Sequence, residues 1–194
     1  MRVRRDPESG ATMLEFAIAV PVIILLIVGL VEFGFGFIDL QTVASATTSG
    51  ARVGSAFGSG AGLGPGDPTP DEIIQDAVTD GLSDLRSSST VQELWIYKSN
   101  ASGDVVDETN ATNKYTPVFA GDGSVSGWIT VQQPWAPASR ATDLSLSLGT
   151  INRDYLGVRV IFKHEWVTGL LPFAAPTWTD DAVVLLEPVL EEES

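Results

Sequence analysis

Few residues in the chain have the type and spacing that chemistry requires. His164-Glu165-Trp166-Val167-Thr168 opens like the zinc-protease helix, in which two histidines four apart bind the metal and the glutamate between them activates water. Position 168 is threonine, and the local alternation is that of a strand, so the second ligand is missing. His164 is the only histidine, so any serine triad would depend on it. On the apolar face of a strand it reads as a hydrogen-bonded core residue. Asp104, Asp107, Glu108 and Asp122 have the oxygen chemistry of calcium ligands, but they lack the spaced loop with its closing glutamate and read as a solvated surface. No cysteine is present, which removes thiol catalysis, cysteine metal sites and disulfides, and no glycine-rich phosphate loop with its lysine follows a strand. The sequence therefore assigns no catalytic, cofactor-binding or metal residue, and the expectation is not an enzyme.

Glu15 is more informative. It interrupts an apolar run, where a carboxylate costs about 2.5 to 3.5 kcal/mol on insertion scales and so needs a partner. Cleavage after Gly10 would make Ala11 the new N-terminus and Glu15 the fifth residue, bringing an ammonium group within reach on the same chain or on a neighbouring subunit. The competing reading is an acid that snorkels to the membrane surface near the start of the helix.

The element that carries Glu15 is a membrane span. Ala17 to Val31 contains no charged or strongly polar side chain, and Leu14 to Phe37 would extend roughly 36 Å as a helix, against a hydrocarbon core of about 30 Å. Arg2, Arg4 and Arg5 precede the span and the next base is Arg52, which places the N-terminus in the cytoplasm and the rest outside, in a single pass. A secretory signal peptide is the alternative, with Ala44-Ser45-Ala46 as its nearest cleavage site. Pro21 is expected to kink the span, and Glu32 to be solvated at the outer interface.

These residues carry a resemblance. Ser9-Gly10, Ala11-Thr12-Met13-Leu14 and Glu15-Phe16 match the type IV prepilin pattern of glycine, four residues, then glutamate and an aromatic. More closely, Gly10 to Phe35 with Pro21 and Val31-Glu32-Phe33-Gly34 resembles the TadE-like minor pseudopilins of tight-adherence (type IVc, Flp) pilus systems. Thr48-Ser49-Gly50-Ala51-Arg52 is similar to a stretch frequent in that family, without its first arginine, and Ala182 to Pro188 resembles a family ending. The resemblance implies a prepilin peptidase cutting between Gly10 and Ala11, and assembly or processing roles for Glu15 and Phe16. It also implies other pilins, pseudopilins and pilus assembly proteins as partners, beside membrane lipid, and no cofactor.

Beyond the span, Ala46, Gly50, Gly54 and Gly58 recur every fourth residue and would form one small-residue face, suited to bundling in a fibre or else dissolving into linker after about Arg52. Residues 58–70 are rich in glycine and proline and read as a linker. Thr69-Pro70-Asp71-Glu72 then opens a helix with a capping box, a buried stripe at Ile73, Ile74, Ala77, Val78, Leu82 and Leu85, and Asp71 and Arg86 complementing the dipole. Leu156–Trp166 is the clearest strand, followed by Val91–Lys98, Thr179–Leu186 and Trp128–Gln133, while polar Ser99–Ser126, with its sequons at Asn100 and Asn110, reads as a long loop. Gly169–Ala175 either exposes Leu170, Leu171 and Phe173 as a patch or folds back over the sheet.

The expected fold class is α+β: a long N-terminal transmembrane helix, then a helix packed on an antiparallel sheet as a pilin-like headpiece. The expected division is 1–10 leader, 11–57 helix and extension, 58–70 linker and 71–194 exported domain. A net charge of -14 disfavours nucleic acid. Function is expected in pilus assembly, with a membrane-anchored binding domain outside any pilus as the alternative.

Overall fold

A computed structural model describes residues 7–60, 62–145, 150–171 and 174–188. Arg2, Arg4, Arg5 and Phe173 lie outside the described residues. Helix α1 (Pro7–Phe57) runs unbroken through Pro21, and α2 (Pro70–Gly81) follows a glycine-rich loop. Seven strands come next: β1 (Ser89–Ser99), β2 (Thr112–Phe119), β3 (Val125–Gln132), β4 (Thr142–Ser145), β5 (Thr150–Arg153), β6 (Tyr155–His164) and β7 (Thr177–Leu185). Five of them form an antiparallel sheet in the order β3-β2-β1-β6-β7, and β4-β5 is a separate hairpin. The class is α+β, with an apolar N-terminal helix long enough to cross a membrane.

The buried positions of α1 explain why so long a helix holds its place. Glu32, Gly36, Asp39, Val43, Ala46, Thr47, Gly50, Ala51 and Gly54 are buried, at steps of three and four that keep them on one stripe. Val43, Ala46 and Ala51 share a core with Ile74, Val78 and Leu82 beyond α1, and with Leu94, Ile96, Leu156, Val158, Val160 and Phe162 from the centre of the sheet. The small-residue face is therefore filled by the chain itself, not left free for bundling. A Cβ on Gly50 would stand 2.6 Å from Val78 Cγ2, and one on Gly81 would stand 2.6 Å from Ala46 Cα, so α1 and α2 cross nearly backbone to backbone. Burial against α2 and β6 overrides the weak helix propensity of glycine and carries α1 past Arg52 to Phe57.

The capping box forms as its residues predict: Glu72 N donates to Thr69 Oγ1 and Thr69 N to Glu72 Oε2. Arg86 lies beyond the end of α2 and stacks on the Phe35 ring at 4.3 Å, so its partner is α1 rather than the helix dipole. β6 ends at His164, which leaves Trp166 outside the strand. Residues 99–126 are not one loop, because β2 lies inside them. Its polar alternation hid it: Asn113 and Tyr115 face inward and are stabilised by hydrogen bonds instead of apolar contact.

Candidate functional site

The sequence places its candidate site on the first third of α1. Glu15 is exposed there, as is Phe16, and so are Met13, Leu14, Ile18 and nearly every residue to Leu30. Glu15 is the one carboxylate between Ala11 and Val31, on a mostly exposed apolar stretch of the helix. The candidate cleavage residues Gly10 and Ala11 are both within α1.

Farther along, three polar residues of α1 lock it to the headpiece, and sequence reasoning missed all of them. Glu32 is buried, not solvated: it accepts from Val167 N at 2.9 Å and from both the backbone N and hydroxyl of Thr168. These donors come from the turn after β6, which descends beside the helix, with Phe33 and Trp166 in edge contact at 5.8 Å. The turn places Leu171 and Leu170 next to Pro21, Ile24, Leu25 and Val28 of α1, not over the sheet.

Two turns above Glu32, Asp39 and its neighbours form the second lock. Ser89 Oγ donates to Asp39 Oδ2 at 2.8 Å, and His164 Nδ1 is 2.9 Å from the same oxygen and 3.0 Å from Ser89 Oγ. The imidazole stacks on Trp178 with ring centroids 5.2 Å apart, and its Nε2 is buried without a hydrogen-bond partner. Serine, histidine and aspartate thus meet, but the hydroxyl and the carboxylate share one ring nitrogen. A catalytic triad places the hydroxyl and the carboxylate on opposite ring nitrogens, so this cluster lacks triad geometry and instead joins α1 to β1 and β6. Thr47 completes the set by donating to Asp180 of β7.

A fourth polar cluster sits at the start of α2. Asp71 receives Tyr115 Oη at 2.6 Å and Asn113 Nδ2 at 2.7 Å, and pairs with Arg140, whose other nitrogen donates to Gly58 O at 2.6 Å. Arg140 also lies over the Trp135 ring at 4.6 Å. Burial, reinforced by the Asp71 charge, pushes the Tyr115 hydroxyl well above the usual tyrosine range. The only sequence signal was an acid at the first turn of a capped helix, which has the simpler explanation of a dipole partner.

The acids first weighed as calcium ligands stay in their own loops. Asp107 accepts from Thr109 N and Asn110 N, Asp122 from Ser124, and Glu108 pairs with Lys114. Hydrogen bonds from Asn110 hold the Asp107 carboxyl below its ordinary value, and those from Ser124 do the same for Asp122. Among the described residues no three metal-capable side chains converge.

Compared with known proteins, residues 10–52 match the model of the TadE-like protein family, a pilus-associated family. The match covers the exposed rod, Glu32 and Asp39, and stops inside the buried part of α1; α2 and the sheet lie beyond it. No curated protein and no solved structure matches the chain.

Proposed function

We propose that this chain is a minor pseudopilin, processed by a prepilin peptidase, that takes part in assembly of a tight-adherence type IV pilus. The observation that carries the reading is the coincidence of the family match over residues 10–52 with a helix long and apolar enough to cross a membrane, whose run Ala17–Val31 carries no charged side chain. Cleavage falls between Gly10 and Ala11, the helix remains in the cytoplasmic membrane, and residues 71–194 stand outside with 58–70 as the connection. Glu15, with Phe16 beside it, meets the new amino group of its own or a neighbouring chain, a pairing favoured where hydrocarbon excludes water. Other pilins and pilus assembly proteins are the partners, and the chemistry is done on this protein rather than by it.

Intact mass and N-terminal sequencing of the protein from membranes of its native host test the reading. An N-terminus at Ala11 is expected. Retention of residues 1–10 would overturn processing and favour a membrane-anchored extracytoplasmic binding domain that enters no pilus.

A further inference from the structure

The turn that follows β6 is an uncharged segment of the headpiece that lies against α1. Lys163 and Glu165 pair at its head, and from Trp166 to Trp178 no side chain is charged. Val167 and Leu170 are 53% and 65% exposed, while Leu171 between α1 and the turn is buried. Leu170 and Leu171 share an apolar groove of about 350 Å³ with Pro21, Ile24, Leu25 and Val28. Those four α1 residues lie four to eleven positions before Glu32, about 6 to 16 Å along the axis, inside the uncharged run Ala17–Val31. If that run crosses a bilayer, a turn lying against it is at the depth of acyl chains.

Irregular backbone at such depth is tolerated only where its polar groups are satisfied internally. Glu32 supplies part of that satisfaction: its carboxylate takes the N–H groups of Val167 and Thr168, and Thr168 Oγ1 takes that of Leu170. Gly169, at φ +64, lets the chain reverse there without a side chain in the strained region. Trp166, edge-on to Phe33, stands between the charged pair and the apolar tip, where aromatic rings favour the headgroup level.

We propose that the Trp166–Leu171 turn is a second membrane element. It is seated in the hydrocarbon of the leaflet nearest the headpiece, lipid chains cover Val167 and Leu170, and Glu32 pins it to α1. This rests on α1 being the membrane span. The headpiece then meets the bilayer at two points instead of hanging from one helix.

The absence of cysteine permits a direct test. Full-length Leu170→Cys, Leu26→Cys and Ala101→Cys, each carrying an environment-sensitive fluorophore, are reconstituted at low density in phosphatidylcholine/phosphatidylglycerol vesicles with or without nitroxide-bearing acyl chains. Leu26 reports the span and Ala101 an exposed loop. Leu170 is expected to lose emission to the nitroxide lipid as Leu26 does, while Ala101 does not. Quenching at Leu26 alone overturns the proposal and leaves the span intact; quenching at neither overturns the span and the proposal with it. A Leu170 site shielded from an impermeant maleimide yet unquenched by lipid marks protein as its cover and equally overturns it. Glu32→Ala is expected to abolish quenching at Leu170 but not at Leu26, with Glu32→Gln keeping more of it; unchanged quenching in Glu32→Ala would refute the pin.

Discussion

The buried carboxylates of this chain act as fasteners, each gathering donors from segments far apart in sequence. Asp71 joins α2 to β2 and to Arg140, and its loss would strand a guanidinium that is fully buried. Removing one partner of such a pair costs about 3 to 5 kcal/mol, whereas a surface pair is worth about 1 or less. Asp71→Ala should therefore lower the unfolding free energy of the detergent-solubilised protein by that amount, obtained from denaturant titrations followed through tryptophan fluorescence, with Asp71→Asn intermediate; a loss below about 1 kcal/mol would mean Arg140 finds another partner. At the helix start, Glu15→Ala should insert in the membrane as the parent does, since the apolar run is unchanged, but fail in assembly. Normal piliation in that variant would remove Glu15 from the proposed role. Glu15 stands out in the sequence because a carboxylate inside an apolar run is costly. Glu32 and Asp71 do not, because an acid at the edge of a span or at the first turn of a helix has a simpler explanation, and only tertiary structure supplies the Thr168 and Arg140 that replace it.

At the scale of elements, the helix-helix crossing rests on missing side chains. Gly50→Ala should destabilise by about 1 to 3 kcal/mol through the clash with Val78, and Val78→Ala in the same chain should recover part of that loss. Gly81→Ala meets the Ala46 backbone, so shortening a side chain cannot relieve it. Thermal midpoints of the three variants and the double variant decide the matter; equal stability of Gly50→Ala and the parent would mean the helices can part without cost. Of the elements, α2 and four strands, β1, β3, β6 and β7, were readable because capping residues and apolar alternation are local signals. β2 escaped because Asn113 and Pro117 suit a loop, and its inward polarity makes sense only once Asp71 and Trp135 stand opposite. The small-residue face was seen, yet its occupant was not: four-residue spacing states that something approaches closely, not whether it belongs to the same chain.

For the whole molecule, the core includes the second half of α1. A fragment starting at residue 58 would lack Val43, Ala46 and Ala51, leaving Ile74, Val78, Leu156 and Val158 facing water. It should show no cooperative unfolding by circular dichroism, whereas a fragment starting at residue 38 should unfold cooperatively; a folded 58–194 would show that α2 and the sheet suffice. The single rod also sets an angle. Because the same α-helix begins in the exposed rod and ends in the core, the headpiece and the Glu15 edge have a fixed azimuth about one axis, in the manner of two flags on one pole. One residue inserted between Ile18 and Val22 would turn the flags apart by about 100°, while seven would return them to within about 20° and lengthen the pole by about 10 Å. Pilus assembly that fails with one inserted residue and recovers with seven would show that the chain reads direction as well as contact.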